Sequence, residues 1–129
     1  MNKFFLITGC AGFIGFHLCN KLLKDKKNFI IGIDNLNNYY SVELKKKRLK
    51  ILRSYKNFNF KKIDISKKNN LEKLFKYQNK FDYIIHLAAQ AGVRPSVNFP
   101  EKYVNSNLIG FFNILELAKS SKKKLKRFI

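Results

Sequence analysis

The sequence predicts an α/β fold: a doubly wound parallel sheet with helices on both faces, truncated at the start of a fifth strand. Three observations carry this. Short, continuously apolar runs at residues 4–7, 29–33 and 83–87 read as strands buried on both faces. Helix-period stretches separate them, and a chain that alternates strand with helix builds a parallel sheet. The first apolar run breaks into Gly9, Gly12 and Gly15, spaced three apart, and continues as a helix. That is how a strand, loop and helix unit cradles phosphate.

Taken in order, residues 3–34 form a strand, helix, strand unit. Gly9 permits the tight turn off the strand, Gly12 lets backbone approach a pyrophosphate, and Gly15 lets the helix pack closely on its strand. The helix N-terminus then points N–H groups and a positive dipole at the same place. Ile14, Leu18 and Leu22 recur every fourth residue and are expected to face the sheet. The second strand ends in Asp34, 19 positions after Gly15, close to the roughly 20 at which such a unit sets a carboxylate on the adenosine ribose. Residues 35–41 read as a polar loop. A lysine-rich surface helix follows over 42–55, with Ser41 as N-cap and Leu44, Leu49 and Leu52 as a thin apolar stripe.

Residues 58–65 read as a short third strand carrying Asp64 near its end, 66–70 as a loop, and Leu71, Leu74 and Phe75 as one face of a helix running to Gln78. The fourth strand, 83–87, runs into the small residues of 88–92, which leave room for a flat ligand. A loop over 93–99 leads to Pro100, a good first-turn residue. From there a long helix is predicted through Lys119, with Val104, Leu108, Phe111 or Phe112, Leu115 and Leu117 as its apolar positions. Residues 120–124 form a basic loop, and 125–129 begin another strand. Right-handed crossovers give the order 3-2-1-4 with the fifth strand barely begun. The ligand belongs at the carboxyl ends, where the order reverses between strands one and four. Residues 9–15, Asp34, Asp64 and 87–90 all fall at that edge.

With 129 residues, 46% of them hydrophobic and 15% aromatic, the chain carries enough apolar side chain for one packed core. The N-terminal apolar stretch holds Thr8, three glycines and His17, so neither a membrane span nor a signal core is expected. Cys10 and Cys19 are the only cysteines, which gives no disulfide framework and no metal site and points to a reducing cytoplasm. Cys10 is read as filling a small position in a tight loop rather than as a thiol acidified by the helix. The formal charge of +19 comes from 23 lysines and four arginines against eight acids. A coding bias toward A and T would raise Lys, Asn, Ile and Phe together, so specific nucleic-acid binding is not expected. A basic anion-binding or nucleic-acid-binding module without catalysis remains the alternative from another class. His86, inside an apolar strand, is read as a core histidine and His17 as structural or solvated.

Several stretches resemble the NAD-dependent epimerase/dehydratase family, the extended short-chain dehydrogenases/reductases. They are residues 8–15, Asp34, Asp64-Ile65, residues 86–89 and residues 107–110, with residues 34–40, 89–94 and 103–108 closer to its uronate epimerases than to the UDP-galactose type. The resemblance covers the whole chain and implies a Rossmann-type, three-layer α/β/α domain binding NAD, part of an enzyme epimerising UDP-glucuronate at C4. A 4,6-dehydratase or reductase of the same family is the alternative. By the same resemblance Gly9, Gly12, Phe13, Ile14 and Gly15 would hold the pyrophosphate, and Asp34, Asn35 and Asn37 the adenosine ribose. Asp64 and Ile65 would flank the adenine, and Leu87, Ala88, Ala89 and Ser106 the nicotinamide half. Asp34 favours NAD over NADP, because a carboxylate repels the 2′-phosphate. Arg94 is either a sugar-nucleotide contact or a solvated loop cation, and Pro95 stands where these epimerases usually carry an aromatic residue. Family members are often homodimers. Their catalytic Ser/Thr and Tyr-x-x-x-Lys would lie beyond residue 129, as would the substrate domain. Tyr39, Tyr40, Tyr55, Tyr77, Tyr83 and Tyr103 are each followed four positions on by something other than lysine. Residues 1–129 are thus expected to be an incomplete dinucleotide-binding domain with no catalytic residue of its own.

Overall fold

The computed structural model describes residues 1–78, 80–121 and 124–129. Five parallel strands form one sheet: β1 (Lys3–Thr8), β2 (Asn28–Asp34), β3 (Phe58–Lys62), β4 (Tyr83–His86) and β5 (Arg127–Phe128). Their order is β3-β2-β1-β4-β5, as the alternation predicted. β1 sits at the centre, with Leu6 beside Ile31 on one side and beside Ile84 on the other. Side chains of a strand alternate between faces, and the two cores follow that alternation. Leu6, Ile31, Ile33 and Ile84 meet Leu71, Leu74, Phe75, Ile114 and Leu117 on one face. On the other, Phe5, Ile7, Ile30 and Ile85 meet Cys19, Leu23, Leu49 and Leu52.

The first face is covered by α3 (Lys68–Tyr77) and α6 (Gly110–Lys119), the second by α1 (Phe13–Leu23) and α2 (Val42–Arg53). α2 starts at Ser41, whose hydroxyl accepts from the Leu44 N–H at 3.2 Å, the cap the sequence predicted. β3 is shorter than expected: it stops at Lys62, and Asp64 and Ile65 lie in the loop beyond it. The predicted loop at 93–99 contains a helix, α4 (Arg94–Asn98). The basic loop predicted over 120–124 includes Lys122 and Lys123, which lie outside the described residues.

Three predicted helix faces hold only in part, with Leu49, Leu52 and Leu117 buried as expected. α1 buries Gly15, Cys19 and Leu23, one position after the expected Ile14, Leu18 and Leu22. Leu18 and Leu22 pack only at its flanks, and Ile14 is 66% exposed. α2 buries Lys45, Leu49 and Leu52 and leaves Leu44 exposed. The expected single helix over 100–119 is α5 (Pro100–Tyr103), a π-helical turn (Val104–Ile109) and α6. The turn carries the Gly110 N–H to the Asn105 carbonyl. Such a turn holds an extra residue and rotates everything after it. Gly110, Asn113, Ile114 and Leu117 therefore face the sheet, while Val104, Leu108, Phe111, Phe112 and Leu115 are exposed.

Asp82 joins the two ends of the chain. Its fully buried carboxylate accepts the Phe4 N–H at 2.9 Å and meets Lys126 Nζ at 3.5 Å, and its carbonyl accepts the Lys126 N–H at 2.8 Å.

Candidate functional site

β1 delivers the chain to Gly9, which takes φ +69°. A Cβ there would stand 2.9 Å from the Ala88 nitrogen and the Leu87 carbonyl, so the turn needs glycine on both counts. The loop folds back on itself through the Gly12 N–H, which donates to the Gly9 carbonyl at 3.0 Å. A Cβ on Gly15 would overlap that same carbonyl oxygen, and α1 sits on the loop only because residue 15 lacks one. α1 starts with no acidic residue in its first turn and, among the described residues, no side-chain cap. Its first N–H groups have no intrahelical acceptor. They form an uncapped positive pole, the arrangement that attracts an anion.

That pole opens on a cavity of about 480 Å³ at the carboxyl ends of β1, β2 and β4. Gly9, Gly12, Phe13, Ile14 and Gly15 line it from the glycine loop, and Asp34, Asn35 and Asn37 from the end of β2. Leu87, Ala88 and Ala89 line it beyond β4, with Ile65 and Ser106 completing the wall. Asp64 alone of the expected cofactor residues lies elsewhere, in an adjoining cavity of the same volume, where its Oδ1 accepts the N–H and hydroxyl of Ser66 at 2.9 and 2.8 Å. Arg94 is exposed and lines neither cavity.

Asp34 is 8% exposed, and its carboxylate has a second employment. Oδ2 accepts the Ala11 N–H of the glycine loop at 3.1 Å, and Oδ1 accepts the Leu36 N–H at 2.8 Å. A carboxylate has about four lone-pair sites, so two remain for a ligand's hydroxyls. Lys45 and Arg48, both lining the cavity from α2, were not singled out from the sequence. Lys45 is only 4% exposed. Its Nζ donates to the Asn37 carbonyl and Oδ1, each at 2.9 Å, and lies 4.6 Å from the centre of the Tyr40 ring. Burial lowers its pKa, Asp34 nearby raises it, and Arg48 lowers it further. Arg48 donates to the Ala11 carbonyl at 3.2 Å and to the Tyr40 hydroxyl at 3.3 Å, with its Cζ 5.9–6.0 Å from the ring centres of Phe13, Phe16 and Tyr40. A lysine in a lysine-rich helix carries no signal of its own. The clue lay in the neighbouring loop, where Asn37 and Tyr40 supply the acceptor and the ring.

The wall beyond β4 is held by Thr8. Its buried hydroxyl accepts the Leu87 and Ala88 N–H groups at 3.0 and 2.9 Å and lies 2.9 Å from His86 Nδ1. A hydroxyl that accepts twice still has one proton to give. It donates to Nδ1, which leaves the imidazole neutral with its proton on Nε2, and burial lowers the His86 pKa in the same sense. His86 is thus a half-buried structural partner. Cys10 and Cys19 are both unpaired and buried. Burial pushes the Cys19 thiol up to about 12 and raises Cys10 as well, with Cys19 and Asp34 adding to the rise. Cys10 fills space in the loop. Among the described residues, no group of three or more His, Cys, Asp or Glu side chains is placed to hold a metal, and no helix is long and apolar enough to cross a membrane.

Comparison with known proteins places this geometry. The family model described as GDP-mannose 4,6 dehydratase matches residues 6–129. Protein CapI of Staphylococcus aureus is 46% identical over 114 residues, 88% of this chain and 33% of that protein. UDP-glucuronate 4-epimerase of Thermodesulfobacterium geofontis is 46% identical over 116 residues, 90% of this chain and 35% of that one. The crystal structure of UDP-glucuronic acid 4-epimerase from Bacillus cereus, in complex with UDP-glucuronic acid and NAD, superposes with a TM-score of 0.85 at 35% identity, covering 98% of this chain and 38% of that one. The chain therefore spans about a third of the length of the relatives it matches. With its strand order, its glycine loop and the acid at the end of β2 all in place, it belongs to the NAD-dependent epimerase/dehydratase family.

Proposed function

We propose that residues 1–129 are the NAD-binding part of a nucleotide-sugar 4-epimerase acting on UDP-glucuronate. The observation that carries the reading is the uncapped start of α1 behind two glycines, Gly9 and Gly15, that have no room for a Cβ. The cradle fits a pyrophosphate, with Gly12, Phe13 and Ile14 presenting their backbone to it. The adenosine ribose then lies against Asp34, Asn35 and Asn37, and the adenine beside Ile65, reaching toward Asp64 in the adjoining cavity. Leu87, Ala88, Ala89 and Ser106 receive the nicotinamide half. When bound, NAD supplies the oxidant and then the reductant for the sugar C4. This chain's residues bind it, orient it, and hold the β4 wall in place through Thr8. Arg94, outside both cavities, is given no contact.

A 4,6-dehydratase of the same family is the second reading, favoured by the description of the family model itself. The 46% identity to a UDP-glucuronate 4-epimerase from one organism and 44% to another, from Arabidopsis thaliana, supports the epimerase more. Thermal unfolding of the chain with each dinucleotide tests the cofactor assignment. At a hundred times its Kd, NAD should add about 2.7 kcal/mol, a shift of several degrees in Tm, and NADP should add less. Equal shifts would remove the selective role of Asp34, and no shift with either would remove the site. With UDP-glucuronate and NAD, these 129 residues alone should give no epimer.

A further inference from the structure

Resting on that reading, we infer that Asn37 and Gln90 form a strap across the mouth of the cleft, set in place by Lys45, which opens to admit the dinucleotide and closes again over it. Asn37 Nδ2 donates to Gln90 Oε1 at 3.2 Å, joining the loop after β2 to the loop after β4. The orientation of both amides is dictated by neighbours that have one role only. An ammonium can only donate, so the Asn37 atom that meets Lys45 Nζ is Oδ1 and Nδ2 is turned toward Gln90. Gln90 Nε2 in turn faces the Ala91 carbonyl at 3.4 Å, which leaves Oε1 for Asn37. Beside this bond a Cβ on Gly92 would collide with the Tyr39 hydroxyl, so the two loops also touch through Tyr39.

Each loop is firmly held on its own side. Lys45 takes both the carbonyl and the side chain of Asn37, and Asp34 Oδ1 takes the Leu36 N–H. Across the cleft Asn107 donates to the Gln90 carbonyl at 3.2 Å and accepts the Gln90 N–H at 2.7 Å, while the Tyr103 hydroxyl donates to the Ala91 carbonyl at 3.0 Å. Between these anchored loops the joint is one neutral, half-buried side-chain bond and one ring contact. It is the weakest link, and it lies where both cavities meet: Asn37, Tyr39 and Gln90 line the two of them. A ligand with two nucleoside halves occupies both sides of that joint, and entry requires it to part. Lys45 is a positioning residue that acts through Asn37.

The experiment is stopped-flow binding of NADH to the whole chain, with hydrogen exchange of the unliganded protein alongside. Gln90→Ala should raise both the association and the dissociation rate by about three- to tenfold, the population change that losing one neutral hydrogen bond produces, with Kd within about twofold. Gln90→Glu keeps an acceptor for Asn37, with a charge that strengthens the bond, and should speed neither rate. Unchanged rates in Gln90→Ala, or a faster dissociation matched by an equally weaker Kd, would overturn the strap and make Gln90 a bystander or a simple contact. In the exchange arm Gln90→Ala should speed amide exchange in residues 35–40 and 88–92 and leave 9–15 unchanged. A parent chain that binds no NADH refutes the cofactor reading, while unaltered exchange in Gln90→Ala refutes the strap with or without a ligand.

Discussion

Helices α1 and α6 lie on opposite faces of the sheet, and each packs through a stripe that opens with glycine: Gly15, Cys19 and Leu23 in one, Gly110, Asn113, Ile114 and Leu117 in the other. They differ in what the glycine meets. The missing Cβ of Gly15 is answered by the backbone carbonyl of Gly9, whereas that of Gly110 would stand 2.6 Å from Cδ1 and Cγ1 of the Ile65 side chain. Backbone cannot retreat, but an isoleucine can change rotamer at modest cost. Their outer surfaces differ as well. The exposed Phe13 and Ile14 of α1 border the cavity, while the exposed Phe112 and Leu115 of α6 border neither cavity. The glycine-loop helix is fixed by main chain and so holds the loop to one geometry. The α6 contact is fixed by side chains that can adapt.

Gly15→Ala should be the most damaging single change, costing more than about 3 kcal/mol out of the 5–15 kcal/mol typical of a domain. A urea titration or the soluble yield reads it, and a variant with the parent's midpoint would show that the loop can yield after all. Gly110→Ala should cost about 1–2 kcal/mol through the displaced Ile65 and weaken NADH binding slightly, since Ile65 lines the cavity. Equal losses from the two alanines would erase the distinction between backbone and side-chain contact. Leu108→Gln and Phe112→Gln, at positions 62% and 55% exposed, should change stability by no more than about 0.5 kcal/mol. A loss above about 1 kcal/mol would mean that this face is covered in solution.

The same comparison explains what the sequence made legible. The strand order, the glycine loop and the acid at Asp34 could be read because each depends on local rules: apolar runs of strand length, glycine where backbone needs space, right-handed crossovers. The helix faces were legible where apolar residues make the contact, as Leu71, Leu74 and Phe75 do in α3, and not where it is made by residues an apolar count overlooks. Cys19 packs in the core, Gly15 meets the glycine loop and Gly110 the Ile65 side chain, and Asn113 is buried with its Nδ2 donating to the Ile65 carbonyl at 2.9 Å. Past Tyr103 the π-helical turn also moves the register, so an α-helical period continued through it lands on solvent. At the site, Asn37 was named only through the family resemblance of residues 34–40 and lines the cavity. Lys45 and Arg48 were not, since their partners are carbonyls, rings and an asparagine brought up by the fold.

The central position of β1 has a consequence for how the molecule is made. Its ladder to β2 joins nearby segments, but the bonds that tie it to β4 and finish the loop wall, from Phe4 to Asp82 and from Leu87 and Ala88 to Thr8, link residues 78 to 80 positions apart. At synthesis rates of about 5–20 residues per second, the far partner follows roughly 4–16 s after the near one. For that interval the strand bearing Phe5, Leu6 and Ile7 keeps one edge of unpaired backbone, the kind of edge to which a second nascent chain can add. The glycine loop therefore leaves the ribosome well before the residues that complete its wall.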